Sequence, residues 1–243
     1  FDVNSDVEWS ASRAEPPPKH GALPTLEEWV AQVRQAATED ERTMVVLHLF
    51  AGLPRPQDIE HFLQERCAEL GIRLLYLPMD LEADECWDLT RPDTVNLLMG
   101  LIQEGLVDVI LAGPPCSTFS RARRRPGGPP PVRSRAQPWG FANLPAAQRR
   151  RVDEANLLAL ATMCMAETLH QCGGCYIVEH PEDPGEGFPS LWSTTEMRGM
   201  LQRTGAISCD FDQCAWGGAA RKPTTIAGAL DELSALADTR CPG

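Results

Sequence analysis

Near the middle of the chain lies the segment Asp108-Val-Ile-Leu-Ala-Gly-Pro-Pro-Cys-Ser-Thr-Phe-Ser120. It begins as an apolar run of strand length and breaks at Gly-Pro-Pro, which can continue neither a central strand nor a helix. The sequence therefore predicts a β-strand that ends just before Cys116. Two prolines fix the backbone ahead of this thiol, which is how a scaffold presents a nucleophile.

The residues around Cys116 bear on whether its thiol is reactive. A cysteine buried at the end of a strand is the alternative, because free cysteines are among the most buried residues. The nucleophile is favoured here because a thiol needs a neighbouring positive field to form its thiolate. That field would come from the arginines that follow, at Arg121, Arg123, Arg124 and Arg125.

The region before this segment has the pattern of a βαβ unit. An apolar run over 43–50 is followed by a glycine turn, a helical pattern over 58–70 and a second apolar run over 72–77. Such units form parallel sheets, and ligands bind beyond the carboxyl ends of their strands. We therefore expect an α/β fold, with a mostly parallel sheet flanked by helices and a ligand site near Gly52 and Asp80.

The chain before residue 43 divides into two parts. Residues 1–24 carry three consecutive prolines and little apolar periodicity, which indicates a flexible leader. Thr25 and Glu28 have the spacing of a capping box, so residues 25–42 are predicted to form a helix that packs on the main domain. Residues 43–243 are then expected to form one catalytic domain.

The remaining elements are predicted from their periodicity. We expect helices over residues 94–106, 155–170 and 197–203, and strands over 176–181 and 206–212. Glu179 would then be exposed at the same sheet edge as Cys116. It is the best candidate for a second catalytic group, although an exposed loop glutamate is the alternative.

Charge is distributed unevenly along the sequence. The net charge is −12, yet residues 121–151 contain nine arginines and no acidic side chain. A solvated basic loop is one interpretation of this run. A local phosphate-binding edge is the other, because the run starts five residues after Cys116.

Cysteine content and hydropathy indicate the cellular setting. Nine cysteines without framework spacing predict reduced thiols, and no signal pattern or membrane span is found. We expect an intracellular protein, nuclear or cytoplasmic, that is not secreted. Cys172 and Cys175 are predicted to end a helix in a turn rather than bind zinc, so no metal is expected.

Two motifs give the chain a resemblance to the cytosine-5 DNA methyltransferases. The nucleophile motif of that family reads Gly-Pro-Pro-Cys-x-x-Phe-Ser, and residues 113–120 match it. The first motif of the family begins Phe-Ala-Gly, and Phe50, Ala51 and Gly52 match it. The resemblance implies a Rossmann-like class I S-adenosylmethionine-dependent methyltransferase fold. It covers residues 45–226, with no segment long enough for a separate target-recognition domain.

The resemblance also implies a set of cofactor-binding residues for S-adenosylmethionine. These would be Phe50, Ala51, Gly52 and Pro114, with Asp80, or Glu82 as a substitute, on the ribose hydroxyls and Asp88 on the adenine amine. Carboxylates accept hydrogen bonds from a diol or an exocyclic amine. We further expect the helix over 26–37 to cover this site.

For catalysis, the resemblance assigns covalent attack to Cys116 and contact with the ring nitrogen to Glu179. It places Arg221 and Lys222 near the base. Nucleic-acid binding is expected from the residues that follow the nucleophile, namely Ser120, Arg121, Arg123, Arg124 and Arg125. The chain departs from the family where His180 replaces the usual Asn after Glu179.

The implied activity is methyl transfer to carbon 5 of cytosine through a covalent adduct with Cys116. The expected partner is nucleic acid, with DNA favoured over RNA, and a protein partner could supply target recognition. Two alternatives remain open. One is a catalytically degenerate relative that binds nucleic acid or protein, and the other is an unrelated cysteine-dependent transferase or hydrolase.

Overall fold

The computed structural model describes residues 25–39, 42–55, 57–81, 85–218 and 220–241. The strands are β1 (Thr43–Leu49), β2 (Arg73–Met79), β3 (Val109–Ala112), β4 (Cys175–Pro181), β5 (Ile207–Asp212) and β6 (Pro223–Gly228). The helices are α1 (Leu26–Ala36), α2 (Ile59–Glu69), α3 (Pro92–Gln103), α4 (Ala146–Gln171) and α5 (Thr195–Thr204). The predicted leader over 1–24 lies outside the described residues.

The six strands form one mixed sheet in the order β2-β1-β3-β4-β6-β5. Strands β2, β1, β3 and β4 pair in parallel, and β6 is antiparallel to both of its neighbours. The predicted α/β class, with a mostly parallel sheet and flanking helices, is therefore confirmed. Because Leu49 pairs with Ala112, the turn after β1 and the Gly-Pro-Pro segment after β3 leave the sheet side by side.

Helix α1 has the predicted start and the predicted buried face. The side chains and backbones of Thr25 and Glu28 complete a capping box, and Trp29 and Val33 are buried in the core. Two ion pairs connect α1 and the residues after it to the rest of the domain: Arg34 pairs with Glu104 at 3.2 Å, and Glu39 pairs with Arg73 at 2.8 Å. The second of these contacts lies at the amino end of β2, opposite the edge at which the predicted ligand site begins.

Helix α2 was predicted correctly as a helix, but its apolar side chains are not buried as a core face. Asp58 caps its first turn, and within the helix only Cys67 is buried. The Phe62 side chain is 57% exposed and Ile59 is 41% exposed. The spacing of apolar residues predicts that one face of a helix is apolar, but it does not predict whether another element covers that face.

Residues 121–151 are not exposed throughout, as a solvated basic loop would be. Helix α4 begins at Ala146, nine residues before its predicted start, and takes in Arg149 to Arg151. Arg133 is only 1% exposed, and its guanidinium lies 4.2 Å from the centroid of the Phe119 ring. At least one arginine of this run, Arg133, is therefore part of the protein interior.

Arg133 fixes the irregular backbone that leads into α4. It donates hydrogen bonds to Pro138 O at 2.7 Å, to Asn156 Oδ1 at 2.6 Å and to Val152 O at 3.3 Å. A guanidinium can do this because it carries five N–H donors in a fixed plane. Burial lowers the pKa of Arg133 to about 10, so the group stays charged at neutral pH.

Among the helices in the described part of the chain, none combines the length and the apolar character needed to cross a membrane.

Candidate active site

A cavity of about 630 Å³ opens at the carboxyl ends of β3 and β4 and beside the start of β6. Its lining includes Cys116, Ser120, Arg121, Arg125, Arg221 and Lys222. We call it the basic cavity, because its five basic side chains outnumber its two acidic ones. Its volume is within the range of pockets that hold small molecules or single nucleotides.

The Cys116 thiol lies half-buried in this cavity. Burial raises its pKa above the usual value, Lys222 lowers it, and Glu179 raises it. The cation that favours the thiolate is therefore Lys222, and not the arginine cluster from which the sequence led us to expect this effect. Because desolvation is the largest influence, Cys116 is mainly a protonated thiol at neutral pH.

Glu179 lies within β4, opposite Ile226 of β6, rather than at an exposed strand tip. Its carboxylate accepts from Lys222 Nζ at 3.1 Å and from Gln213 Nε2 at 3.4 Å. A Cβ added at Gly113 would lie 3.4 Å from Glu179 Oε2, so the carboxylate sits beside the Gly-Pro-Pro turn. Cys116, Glu179 and Lys222 thus form one cluster at the sheet edge.

The sequence analysis did not identify Gln213 as part of the site. It follows β5 directly, and its backbone N donates to Lys222 O at 3.1 Å, which closes the turn toward β6. Its contact with Glu179 spans 34 residues of sequence. The glycines that follow it indicated a hairpin, and nothing in its local pattern indicated that partner.

A second feature missed from the sequence is the buried carboxylate of Asp212. It is fully buried at the end of β5, where Oδ2 accepts from Arg221 Nε at 3.2 Å and from Cys241 N at 3.0 Å. Arg240 lies 4.0 Å from Oδ1 and pairs with Glu182 at 2.7 Å. Asp212 therefore fixes two arginines that line the basic cavity.

The arginines just after Cys116 have different environments and contacts. Arg121 and Arg125 line the basic cavity. Arg123 instead donates to Ser117 O at 2.8 Å and to Pro130 O at 3.1 Å, which supports the turn. The Arg124 guanidinium lies 5.1 Å from the centre of the Phe188 ring, and its Nη2 donates to the Arg133 carbonyl at 3.5 Å. Of the predicted nucleic-acid contacts, Ser120, Arg121 and Arg125 line the basic cavity.

His180 forms part of the wall of the basic cavity. It is 2% exposed and packs edge-on against Phe119 and Trp192, at centroid distances of 5.3 and 6.3 Å. Neither ring nitrogen makes a hydrogen bond of normal geometry to a described residue. Burial lowers its pKa to about 3, and the nearby Pro181 carbonyl offsets only part of that effect.

We expect the buried His180 to make the protein acid-labile. Its pKa is about 3 in the folded state and about 6.5 when unfolded, so the unfolded chain binds the proton more tightly. The free energy of unfolding should then be unaffected above pH 6.5 and fall by about 1.4 kcal/mol per pH unit between pH 6.5 and 3. Urea unfolding of wild type and His180→Phe over this range measures the effect.

The matched control for this prediction is His61→Phe, because His61 lies on the exposed side of α2. His180→Phe should flatten the loss of stability on acidification, and the control should keep it. Equal slopes in wild type and His180→Phe would contradict the assignment.

A second cavity, of about 520 Å³, lies at the carboxyl ends of β1 and β2. We call it the β1–β2 cavity. Ala51 and Gly52 line it, together with Asp58 and Tyr76. Gly52 has φ +72°, and an added Cβ would meet open space, so the turn leaves room for a ligand. Asp80 Oδ2 accepts from Gly52 N at 2.9 Å and orients this turn.

The other predicted cofactor residues are not among the described residues that line this cavity. Phe50 adopts φ +63° and packs against the core, and Pro114 is buried. Asp88 accepts from Thr90 N at 2.8 Å and Thr90 Oγ1 at 2.6 Å, which fixes the turn before α3. Glu82 lies outside the described residues. The described lining contains no residue of α1, which the sequence led us to expect over this site.

The segment between β5 and β6, residues 213–222, borders both cavities. Trp216 and Gly217 line the β1–β2 cavity, and Arg221 and Lys222 line the basic cavity. Glu179 contacts the two ends of this segment, through Gln213 and Lys222. The two cavities are therefore neighbours along one sheet edge.

The cysteine pair considered for zinc forms the turn that follows α4. The α4 helix ends at Gln171, and Gly173 has φ +91°. Cys172 is exposed. Within the described ranges, no three His, Cys, Asp or Glu side chains are grouped so as to hold a metal ion.

Comparison of the sequence with known protein families and with curated proteins gave no match. What the structure defines is an α/β protein with two cavities at the carboxyl edge of a mostly parallel sheet. Its function is inferred below from the chemistry of those cavities.

Proposed function

We propose that this chain has a class I methyltransferase fold and transfers a methyl group from S-adenosylmethionine to carbon 5 of cytosine in nucleic acid, with DNA favoured over RNA. The observation that carries the proposal is the cluster of Cys116, Glu179 and Lys222. Cys116 follows β3, Glu179 lies within β4 and Lys222 directly precedes β6. Both charged groups act on the thiol. Resemblance in the two sequence motifs supports the same activity.

The cluster suits addition to a pyrimidine ring. The Cys116 sulfur would form a bond to carbon 6, and the displaced π electrons would make carbon 5 nucleophilic. Glu179 would hold the ring nitrogen and stabilise the charge that develops there. Once carbon 5 carries the methyl group, loss of its proton to water would restore the double bond and break the bond to sulfur, which returns the thiolate of Cys116.

The β1–β2 cavity fits the proposed cofactor. Its volume suits a nucleoside-sized ligand, and its wall includes the carboxyl side chains of Asp58 and Glu60. These can accept hydrogen bonds from ribose hydroxyls and favour a cationic ligand. When bound, S-adenosylmethionine would supply an electrophilic methyl group. Asp80 would act by orienting Gly52.

The basic cavity would receive the target nucleotide. A thiol at this depth cannot reach a stacked base, so the base would have to leave its stack. Arg121 and Arg125 form no ion pair with a described residue and would contact its phosphates. A protein partner that supplies target recognition remains part of this proposal.

A second candidate is a binding module that has lost methyl transfer. It is favoured by the raised pKa of Cys116 and by the engagement of Glu179 with Lys222 and Gln213. Such a protein would bind nucleic acid in the basic cavity without reacting. Oligonucleotide binding in the absence of any methyl transfer would distinguish it.

Calorimetric binding of S-adenosylhomocysteine tests the proposal without knowledge of the target. We expect micromolar binding that Gly52→Leu weakens at least tenfold, because Gly52 lines the β1–β2 cavity and leucine would add bulk to its wall. Cys116→Ser should leave binding unchanged, because Cys116 lines the other cavity.

Gly71→Leu is the matched control for backbone strain. Gly71 has φ +62°, also meets open space, and follows α2 at the amino end of β2, away from both cavities. It should bind like wild type. The proposed cofactor site would be contradicted if wild type does not bind S-adenosylhomocysteine, or if both glycine variants weaken its binding equally.

A further inference from the structure

Two of the cysteines lie in contact beside the basic cavity. Cys214 follows β5 in the 213–222 segment, and Cys241 ends the described chain. Their thiols form a hydrogen bond with each other. Both residues are half-buried, so a small oxidant can reach them.

Backbone contacts hold Cys241 in this place. Residues 238–241 run along the end of β5, where Asp212 N donates to Thr239 O at 2.9 Å. Cys241 N donates to Asp212 Oδ2 at 3.0 Å. Because Asp212 precedes Cys214 by two residues, the two thiols are brought together by fixed main-chain geometry and not by side-chain placement alone.

The same contacts connect the pair to the wall of the basic cavity. Arg240, the neighbour of Cys241, lines that cavity and pairs with Glu182 at 2.7 Å. Cys214 is the neighbour of Gln213, which contacts Glu179. A bond between the two sulfurs would therefore join the segment carrying Arg240 to the segment that touches the candidate catalytic carboxylate.

We propose that Cys214 and Cys241 form a reversible disulfide that fixes residues 238–241 against the basic cavity. Each thiol loses one proton and one electron, and the sulfur–sulfur bond forms. The two electrons pass to a disulfide oxidant such as oxidised glutathione, which leaves as two glutathione thiols through a mixed disulfide. This inference does not rest on the proposed methyl transfer.

The test is oxidation of the full, reduced protein with oxidised glutathione, followed by alkylation, trypsin digestion and peptide mass measurement. The peptides that contain Cys214 and Cys241 should appear joined, with a mass lower by two hydrogens than their sum. The Tm should rise by roughly 5 °C, because the bond closes a loop in the unfolded chain. Dithiothreitol should reverse both changes.

Cys214→Ser and Cys241→Ser should each abolish the joined peptide and the rise in Tm. Cys172→Ser is the matched control, because Cys172 is an exposed cysteine away from the pair, and it should behave like wild type. The proposal is overturned if Cys214 and Cys241 stay fully alkylatable after oxidation, or if the Tm rises equally in Cys214→Ser. Neither outcome depends on whether S-adenosylhomocysteine binds.

Discussion

Cys116→Ala should lower methyl transfer by about four orders of magnitude or more, because removal of a covalent nucleophile leaves no group that can take its place. The measurement is transfer of labelled methyl groups to cytosine-containing DNA and RNA, with binding of S-adenosylhomocysteine as the check on folding. Cys172→Ala, at an exposed cysteine outside both cavities, should retain activity.

The pH profile gives the same prediction a second readout. Burial holds the pKa of Cys116 above its usual value, so the thiolate fraction should rise about tenfold per pH unit through neutral pH. The rate should follow that rise. Lys222→Met should move the profile to higher pH, since Lys222 lowers the pKa of this thiol. Full activity of Cys116→Ala would refute the covalent mechanism.

Glu179→Gln should lower methyl transfer by about 10²- to 10⁴-fold, which is the usual contribution of a general acid or base. The same variant should speed alkylation of Cys116 by iodoacetamide, because the Glu179 charge raises the pKa of the thiol. A slower enzyme with a more reactive thiol is an outcome that general damage to the site would not produce.

Glu182→Gln is the matched control for this experiment. Glu182 lines the basic cavity together with Cys116. It pairs with Arg240, and it is not among the groups that shift the pKa of Cys116. It should leave the alkylation rate unchanged. If alkylation slows in Glu179→Gln, or if methyl transfer persists at the wild-type rate, the role assigned to Glu179 is wrong.

The sequence predicts those parts of the fold that local patterns determine. The Gly-Pro-Pro break places Cys116 just beyond β3 because proline cannot continue the ladder. The capping box starts α1 because Thr25 and Glu28 satisfy each other's backbone donors. These elements need only neighbouring residues, and the structure confirms them.

Predictions fail where distant residues decide the outcome. The predicted start of α4 was too late because the first two turns of the helix are polar and show no apolar periodicity. The contact between Arg133 and Val152 O, which supports these turns, leaves no pattern in the local sequence. Asp212 is buried because Arg221 and Cys241 reach it from later in the chain. A strand-end aspartate does not by itself reveal such partners.

The local environment of Asp88 shows a different limit. The resemblance assigned Asp88 to the adenine amine of the cofactor, and in the structure Asp88 accepts a hydrogen bond from Thr90 two residues on, as aspartate often does in turns. Side-chain capping and ligand binding use the same carboxylate oxygens, so the residue type alone does not distinguish the two roles.

We expect the 213–222 segment to couple the two cavities thermodynamically, because its residues line both of them. Any ligand that shifts this segment in one cavity also changes the walls of the other, since its two ends share the Glu179 contact. Linkage of this kind is reciprocal, so each ligand would alter the affinity of the other by the same factor. We would then expect occupancy of one cavity to be detectable as a change in ligand affinity at the other, even before any bond is made.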